Sequence, residues 1–84
     1  MYEVTTDEQS EQQVAALPPE ALAAFAEVRA MLELAPWNGT AYTSAKPESP
    51  MRALSFGPEG QGDVVYLILE DQRRVDLLVV LWLG

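Results

Sequence analysis

The last third of the chain carries two apolar runs that predict a β-hairpin. The runs, Val64–Leu69 and Val75–Leu83, are rich in β-branched and aromatic residues, and each is too short for a comfortable helix. A charged connector, Glu70–Arg74, joins them, and its length suits an antiparallel hairpin. The pattern therefore predicts that the two runs pair as neighbouring strands.

Neither run alternates between apolar and polar positions, so both faces of the predicted hairpin are apolar. In the first run, alternate positions fall on two faces: Val64, Tyr66 and Ile68 on one, and Val65, Leu67 and Leu69 on the other. The second run divides in the same way: Leu77, Val79 and Leu81 on one face, and Leu78, Val80 and Trp82 on the other. Because a small antiparallel sheet usually leaves one face polar, this sheet needs cover on both.

The start of the chain predicts a strand followed by a helix. Tyr2–Thr6 alternates and uses residues that favour strands. Thr6 and Gln9 have the spacing of a capping box, which predicts a first helix over Asp7–Leu17. Most of this helix is polar, so we expect it to lie at the surface with a thin apolar stripe turned inward.

Two prolines, Pro18 and Pro19, open a second and stronger helical pattern over Glu20–Leu34. Its apolar stripe has helical spacing: Leu22, Phe25, Val28 and Leu32. A polar loop, Trp37–Pro50, follows, and its length favours a functional or mobile segment. We expect the helix to cover one face of the sheet.

A third strand precedes the hairpin. Met51–Phe56 alternates, and Gly57–Gly62 has the composition of a turn. The predicted order is β-α-α-β-β-β, an α+β fold with two helices packed on one face of a small, mainly antiparallel four-stranded sheet. Residues 1–84 are expected to form a single domain of this kind.

Composition narrows the chemistry. The chain has thirteen acidic and five basic residues, a net charge of −8, and neither histidine nor cysteine. The commonest general base and the thiolate metal ligands are therefore excluded, and we expect no metal and no cofactor. An acidic field repels nucleic acid unless the few cations cluster. No signal peptide and no apolar run of membrane-spanning length is visible, which favours a cytoplasmic protein without membrane contact.

The succession of motifs resembles the RelE/ParE superfamily of toxins, and within it the short RelE-like proteins of high-GC Gram-positive bacteria. The likeness extends from about Leu17 to the end, and it lies in the order of the motifs: PWNG leading to Tyr42, then Lys46-Pro47, Met51-Arg52, Phe56-Gly57-Pro58, VVYLILEDQRRVD and Trp82. The resemblance implies a toxin that a cognate antitoxin neutralises by wrapping its sheet and helices. RelE-type members cut mRNA on the ribosome, and ParE-type members inhibit DNA gyrase.

The resemblance also implies site residues for a metal-independent endoribonuclease, in which the ribose 2′-hydroxyl attacks the adjacent phosphate. Arg52 matches the basic position of the family's second strand, and Lys46 is a second candidate catalytic cation. Arg73, Arg74 and Tyr66 are candidate substrate-binding residues. All of these except Lys46 have a structural alternative: an ion pair for Arg52, a solvated turn for Arg73 and Arg74, and packing for Tyr66.

One departure weighs against a working nuclease. Asp63 stands where the family usually has an arginine at the start of the next strand. The basic group that commonly ends the last strand falls near Trp82 and Leu83. Two negative charges at close range repel each other, so an aspartate here would oppose phosphate binding by on the order of several kcal/mol.

Three functions follow from these observations. The first is a RelE-like toxin that cuts mRNA on the ribosome. The second is a ParE-like inhibitor of gyrase without catalysis, and the third is a degenerate toxin-fold protein that acts as an interaction module. The apolar sheet face predicts a partner, either an antitoxin segment or a second copy of the chain. The loop 37–50 folding back across the sheet is the competing explanation.

Overall fold

The structure is a computed structural model that describes residues 1–43 and 45–84. Its elements follow one another in this order: β1 (Glu3–Thr6), α1 (Glu8–Ala15), α2 (Pro19–Leu34), a 3₁₀ turn (Pro36–Asn38), β2 (Thr40–Ala41), β3 (Met51–Phe56), β4 (Gly62–Leu69), a second 3₁₀ turn (Glu70–Gln72) and β5 (Arg74–Trp82). The predicted hairpin and the predicted strand Met51–Phe56 are both confirmed.

The strands form one five-stranded sheet in the order β1-β5-β4-β3-β2. All neighbouring pairs are antiparallel except β1 and β5, which run parallel. The α+β class and the two-helix layer are confirmed, but the sheet has one more strand than predicted. The addition is β2, Thr40–Ala41, which lies inside the predicted loop and pairs with only Ala53 and Arg52. Two residues are too few to show any periodicity in the sequence.

Both helices contribute to a core on one face of the sheet. Val14 of α1 packs against this core, whose buried apolar residues come from α2, β1, β3, β4, β5 and the adjoining chain: Tyr2, Val4, Leu17, Ala21, Phe25, Leu32, Phe56, Val64, Tyr66, Ile68, Val75, Leu77 and Val80. The first helix is shorter than predicted, because it ends at Ala15. Its capping box was also predicted one residue too early. Asp7 is the cap, its carboxylate accepts from the Ser10 amide at 2.8 Å, and the Asp7 amide donates to Ser10 Oγ at 3.0 Å.

A β-bulge in β5 changes which side chains face the core. Val65 pairs with Val79 and Tyr66 pairs with Leu77, so Leu78 is an extra residue without a partner on β4. Leu77 and Val80 are consequently both buried, at 1% and 2% exposed. The predicted alternation along the second run was therefore wrong at Leu77, which shares the core face with Val80 and Trp82, whereas Val79 and Leu81 point away from the core.

Candidate functional site

One face of the sheet carries an apolar surface that the helices do not cover. We call it the open face. It consists of the apolar residues of β3, β4 and β5 whose side chains point away from the core: Met51, Ala53, Val65, Leu67, Leu69, Val79 and Leu81. Most are half-buried by their own strand neighbours, while Leu81 is 47% exposed. Within the described part of the chain, the sheet therefore has cover on one side only.

The charges around the open face are acidic or neutralised. At one end lies Asp63, exposed and in register with Leu81, and its carboxylate accepts a hydrogen bond from Ser55 Oγ at 3.2 Å. At the other end Arg74 Nε lies 2.8 Å from Asp76 Oδ1. The hydrogen bond from the Arg74 guanidinium, with a further one from the Thr5 hydroxyl, lowers the pKa of Asp76. The open face thus offers no surplus positive charge from these residues to a phosphate.

Arg52 lies on the opposite face, where its guanidinium closes the loop before β3. It donates to three main-chain carbonyls: Ser49 O at 3.0 Å, Gly39 O at 2.9 Å and Pro47 O at 2.7 Å. The guanidinium also stands over the Trp37 ring, 5.0 Å from its centroid. We call this arrangement the Arg52 clasp. The structural alternative for Arg52 was an ion pair, but its partners are carbonyls.

Tyr66 is in register with Arg52 on the same face, and it is 0% exposed. Its hydroxyl donates to Pro36 O at 2.6 Å. Burial raises the pKa of Tyr66 to about 12. The side-chain hydroxyl of Tyr66 is thus enclosed and bonded to the backbone, as in the packing alternative, and a contact between Tyr66 and a substrate stays a prediction.

The raised pKa of Tyr66 predicts an alkaline limit of stability. The folded state holds the phenol proton more tightly than the unfolded state, whose pKa is 10.0. The contribution is therefore complete below pH 10.0 and is lost as the pH rises towards about 12. We expect the unfolding free energy to fall by roughly 2–3 kcal/mol across that range, as 1.36 kcal/mol per pKa unit requires. Denaturant unfolding followed by circular dichroism at stepped pH measures it, and Tyr66→Phe should remove most of the decline.

The two arginines of the hairpin connector are engaged in separate contacts. Arg73, which has a positive φ of 50°, donates to Glu70 Oε2 at 2.9 Å and stands over the Tyr2 ring at 4.2 Å. Glu70 also accepts from the Tyr2 hydroxyl at 2.7 Å and from Trp37 Nε1 at 2.8 Å. These hydrogen bonds, that of Tyr2 first, lower the pKa of Glu70. Glu70 therefore accepts hydrogen bonds from three side chains, those of Tyr2, Trp37 and Arg73. The sequence did not indicate this cluster, because Tyr2 and Trp37 are distant from Glu70 along the chain.

Lys46 is exposed in the loop before β3, next to the Pro47 carbonyl that Arg52 binds. Among the described residues, no salt bridge includes it. The five candidate residues do not converge. Arg52 and Tyr66 share the helix side of the sheet, whereas Arg74 pairs with Leu69 on the open face. The roles of all five residues in binding or catalysis therefore stay predictions.

Two further features bear on the class of site. The described residues contain no group of three or more carboxylate, histidine or cysteine side chains placed to hold a metal ion. Over the same residues, no helix combines the length and the apolar composition that crossing a bilayer requires.

The fold is that of the RelE toxins: two helices on one face of a sheet whose edge strand β1 runs parallel to β5. The isolated E. coli RelE toxin superposes with a TM-score of 0.80 at 10% sequence identity, covering 100% of this chain and 86% of that one. A RelBE toxin–antitoxin complex of Mycobacterium tuberculosis gives 0.78 at 22% identity, covering 96% of each chain. An archaeal RelE–RelB complex of Pyrococcus horikoshii gives 0.69 at 19% identity, covering 99% of this chain and 96% of that one. No protein-family model and no curated protein matches the sequence.

Proposed function

We propose that this chain is the toxin of a type II toxin–antitoxin pair and that it acts by binding a protein rather than by cutting mRNA. The observation that carries the proposal is the open face, an uncovered apolar surface on a RelE fold. Contiguous apolar surface of this kind marks sites of protein association. An antitoxin is the expected partner, since several structures of similar fold are complexes of RelE with RelB.

The charges favour a protein target over RNA. A metal-independent cut of the phosphodiester needs cations that neutralise the developing charge. Here Asp63 is exposed at one end of the open face, and Arg74, at the other end, is already paired with Asp76. A non-catalytic mode, such as inhibition of gyrase or another protein target, needs no such cations. It needs apolar contact area, which the open face supplies.

A ribosome-dependent endoribonuclease is the second candidate. The resemblance to RelE-type toxins favours it, and so does the position of Lys46, an exposed cation next to the loop that Arg52 holds. This function predicts that Lys46→Ala abolishes toxicity without affecting folding, because the side chain is exposed. It also predicts fragments of mRNA cut on translating ribosomes after induction.

Two leucines of nearly equal exposure provide a matched test of the open face. Leu81 is 47% exposed on the open face, and Leu22 is 46% exposed on α2. We expect induction of the unaltered chain to arrest bacterial growth, Leu81→Lys to abolish that arrest, and Leu22→Lys to leave it intact. The physical reason is that a charge placed in an apolar interface must be desolvated when the target binds. Colony counts after induction measure the effect.

Thermal unfolding of both variants provides the control. Because the two leucines are about equally exposed, we expect both substitutions to change the melting temperature by the same small amount. If Leu81→Lys arrests growth fully and Lys46→Ala does not, the endoribonuclease is favoured and the protein-binding mode is wrong. If the unaltered chain does not arrest growth, the remaining function is the third one, a protein of the toxin fold that acts as an interaction module and is not toxic. Sedimentation of the purified chain shows whether a second copy occupies the open face.

A further inference from the structure

A second surface, separate from the open face, lies between α2 and the outer edge of β3. It is a groove of about 600 Å³. Its apolar lining comes from both elements: Ala24, Val28, Met31, Leu54 and Phe56. Phe56 is buried and the other four are half-buried, so the lining is continuous with the core yet reachable from outside. We call this surface the α2–β3 groove.

The groove runs beside an unpaired stretch of strand. Because Pro50 O accepts from the Ile68 amide while Met51 O accepts from the Tyr42 amide, even-numbered residues of this segment bond towards β4 and odd-numbered residues bond outward. The outward pairs with β2 stop at Ala53. The next outward residue is Ser55, whose amide and carbonyl have no neighbouring strand in the described sheet. A free edge of this kind is a template for another strand.

Acidic side chains border the groove on both sides. Glu20 and Glu27, both exposed, line it from α2. Asp63 lies on the other side of the β3 edge, in a smaller cavity of about 220 Å³ that Ser55 also lines. A strand placed along this edge would direct alternate side chains towards the groove and towards Asp63. The surface is therefore apolar within and negatively charged around it.

We propose that the α2–β3 groove binds an extended segment of a partner protein in which apolar and basic residues alternate. The segment adds to the sheet at Ser55, its apolar side chains enter the groove, and its basic side chains point to the other side of the sheet, towards Asp63. A second copy of this chain fits poorly, because its net charge is −8 and its own β3 edge carries the same acids. The inference concerns a surface other than the open face, so it stands or fails independently of the toxicity assay.

The probe is a capped octapeptide of alternating valine and lysine, titrated into the ¹⁵N-labelled full chain and followed by NMR. We expect the largest amide shifts at Ser55 and its neighbours on β3, and weaker binding as salt is added. The matching peptide of alternating valine and glutamate should give no such shifts. Equal binding of the two peptides, or shifts scattered over the surface, would overturn the proposal.

Matched charge variants locate the binding. The variant Asp63→Asn should weaken the lysine peptide about threefold, which corresponds to removing one solvent-exposed charge pair. The variant Glu8→Gln removes the same charge from α1 and should leave the affinity unchanged. A general effect of net charge would weaken both equally and contradict the assigned site. Ser55→Pro, which removes the outward amide at a sheet edge, should abolish the shifts. Self-association of the chain at that edge, seen by sedimentation, would assign the groove to a second copy and likewise overturn the proposal.

Discussion

Replacing Arg52 with alanine is expected to lower the unfolding free energy by about 3 kcal/mol, since hydrogen bonds to a charged group contribute about 1.5–3 kcal/mol each and this site is partly solvated. The change removes donors to three carbonyls at 2.7–3.0 Å, and with them the side-chain contacts that join Gly39, Pro47 and Ser49 to β3. It also removes the cation that stands over Trp37. Denaturant unfolding followed by circular dichroism gives the difference.

Two variants control for charge and for size. Arg29→Ala removes an arginine that makes one long hydrogen bond, 3.4 Å to Val4 O, and should cost well under 1 kcal/mol, as most surface changes do. Arg52→Lys keeps the charge at position 52 but not the planar fork, so it should restore only a minor part of the stability. An Arg52→Ala protein of unaltered stability that no longer arrests growth would assign Arg52 to RNA and contradict its structural role.

This expectation alters how growth assays on Arg52 are to be interpreted. Loss of toxicity in Arg52→Ala follows from a disordered loop as well as from a missing phosphate contact, so the assay alone does not separate them. Lys46→Ala is the cleaner test of the nuclease function, because the Lys46 side chain is exposed.

The strands with clear alternation were predictable from the sequence, and the bulge was not. Met51–Phe56 has the predicted bounds, and its side chains alternate between the two faces of the sheet as predicted. Every position from Leu77 to Leu83 is apolar. The sequence of this segment therefore contains no alternation of polar and apolar residues that would reveal a one-residue shift. The bulge at Leu78 is fixed by pairing with β4, which is a property of two strands together.

For the candidate site too, the sequence predicted which side chains share a face of the sheet but not what packs against that face. Sequence alternation correctly placed Tyr66 on one face with Val64 and Ile68, but it did not say which face the helices cover. The partners of Arg52 are main-chain carbonyls, and any residue type supplies those. The sequence around these carbonyls therefore did not predict the Arg52 clasp. The acidic residue Asp63, in contrast, was identified from the sequence, and it lies beside the open face.

The second large effect concerns Gly62, where alanine should cost about 3 kcal/mol, the upper part of the range for overpacking a filled core. Gly62 pairs directly with Phe56, whose ring lies across the glycine. A Cβ at position 62 would approach the ring carbons to 2.4–2.6 Å. Two aromatic neighbours hold the ring in place, because its centroid is 5.8 Å from that of Phe25 and 5.8 Å from that of Trp82.

A second glycine separates this steric effect from backbone strain. Gly60 has a φ of +71°, but a Cβ there would meet nothing closer than Ser55 Cβ at 4.0 Å. Gly60→Ala should therefore cost only the left-handed conformation, about 1 kcal/mol. The double variant Gly62→Ala with Phe56→Leu should recover part of the loss, since the smaller side chain makes room for the added methyl group. If Gly62→Ala and Gly60→Ala unfold at the same denaturant concentration, the Phe56 ring is more mobile than its two aromatic neighbours imply.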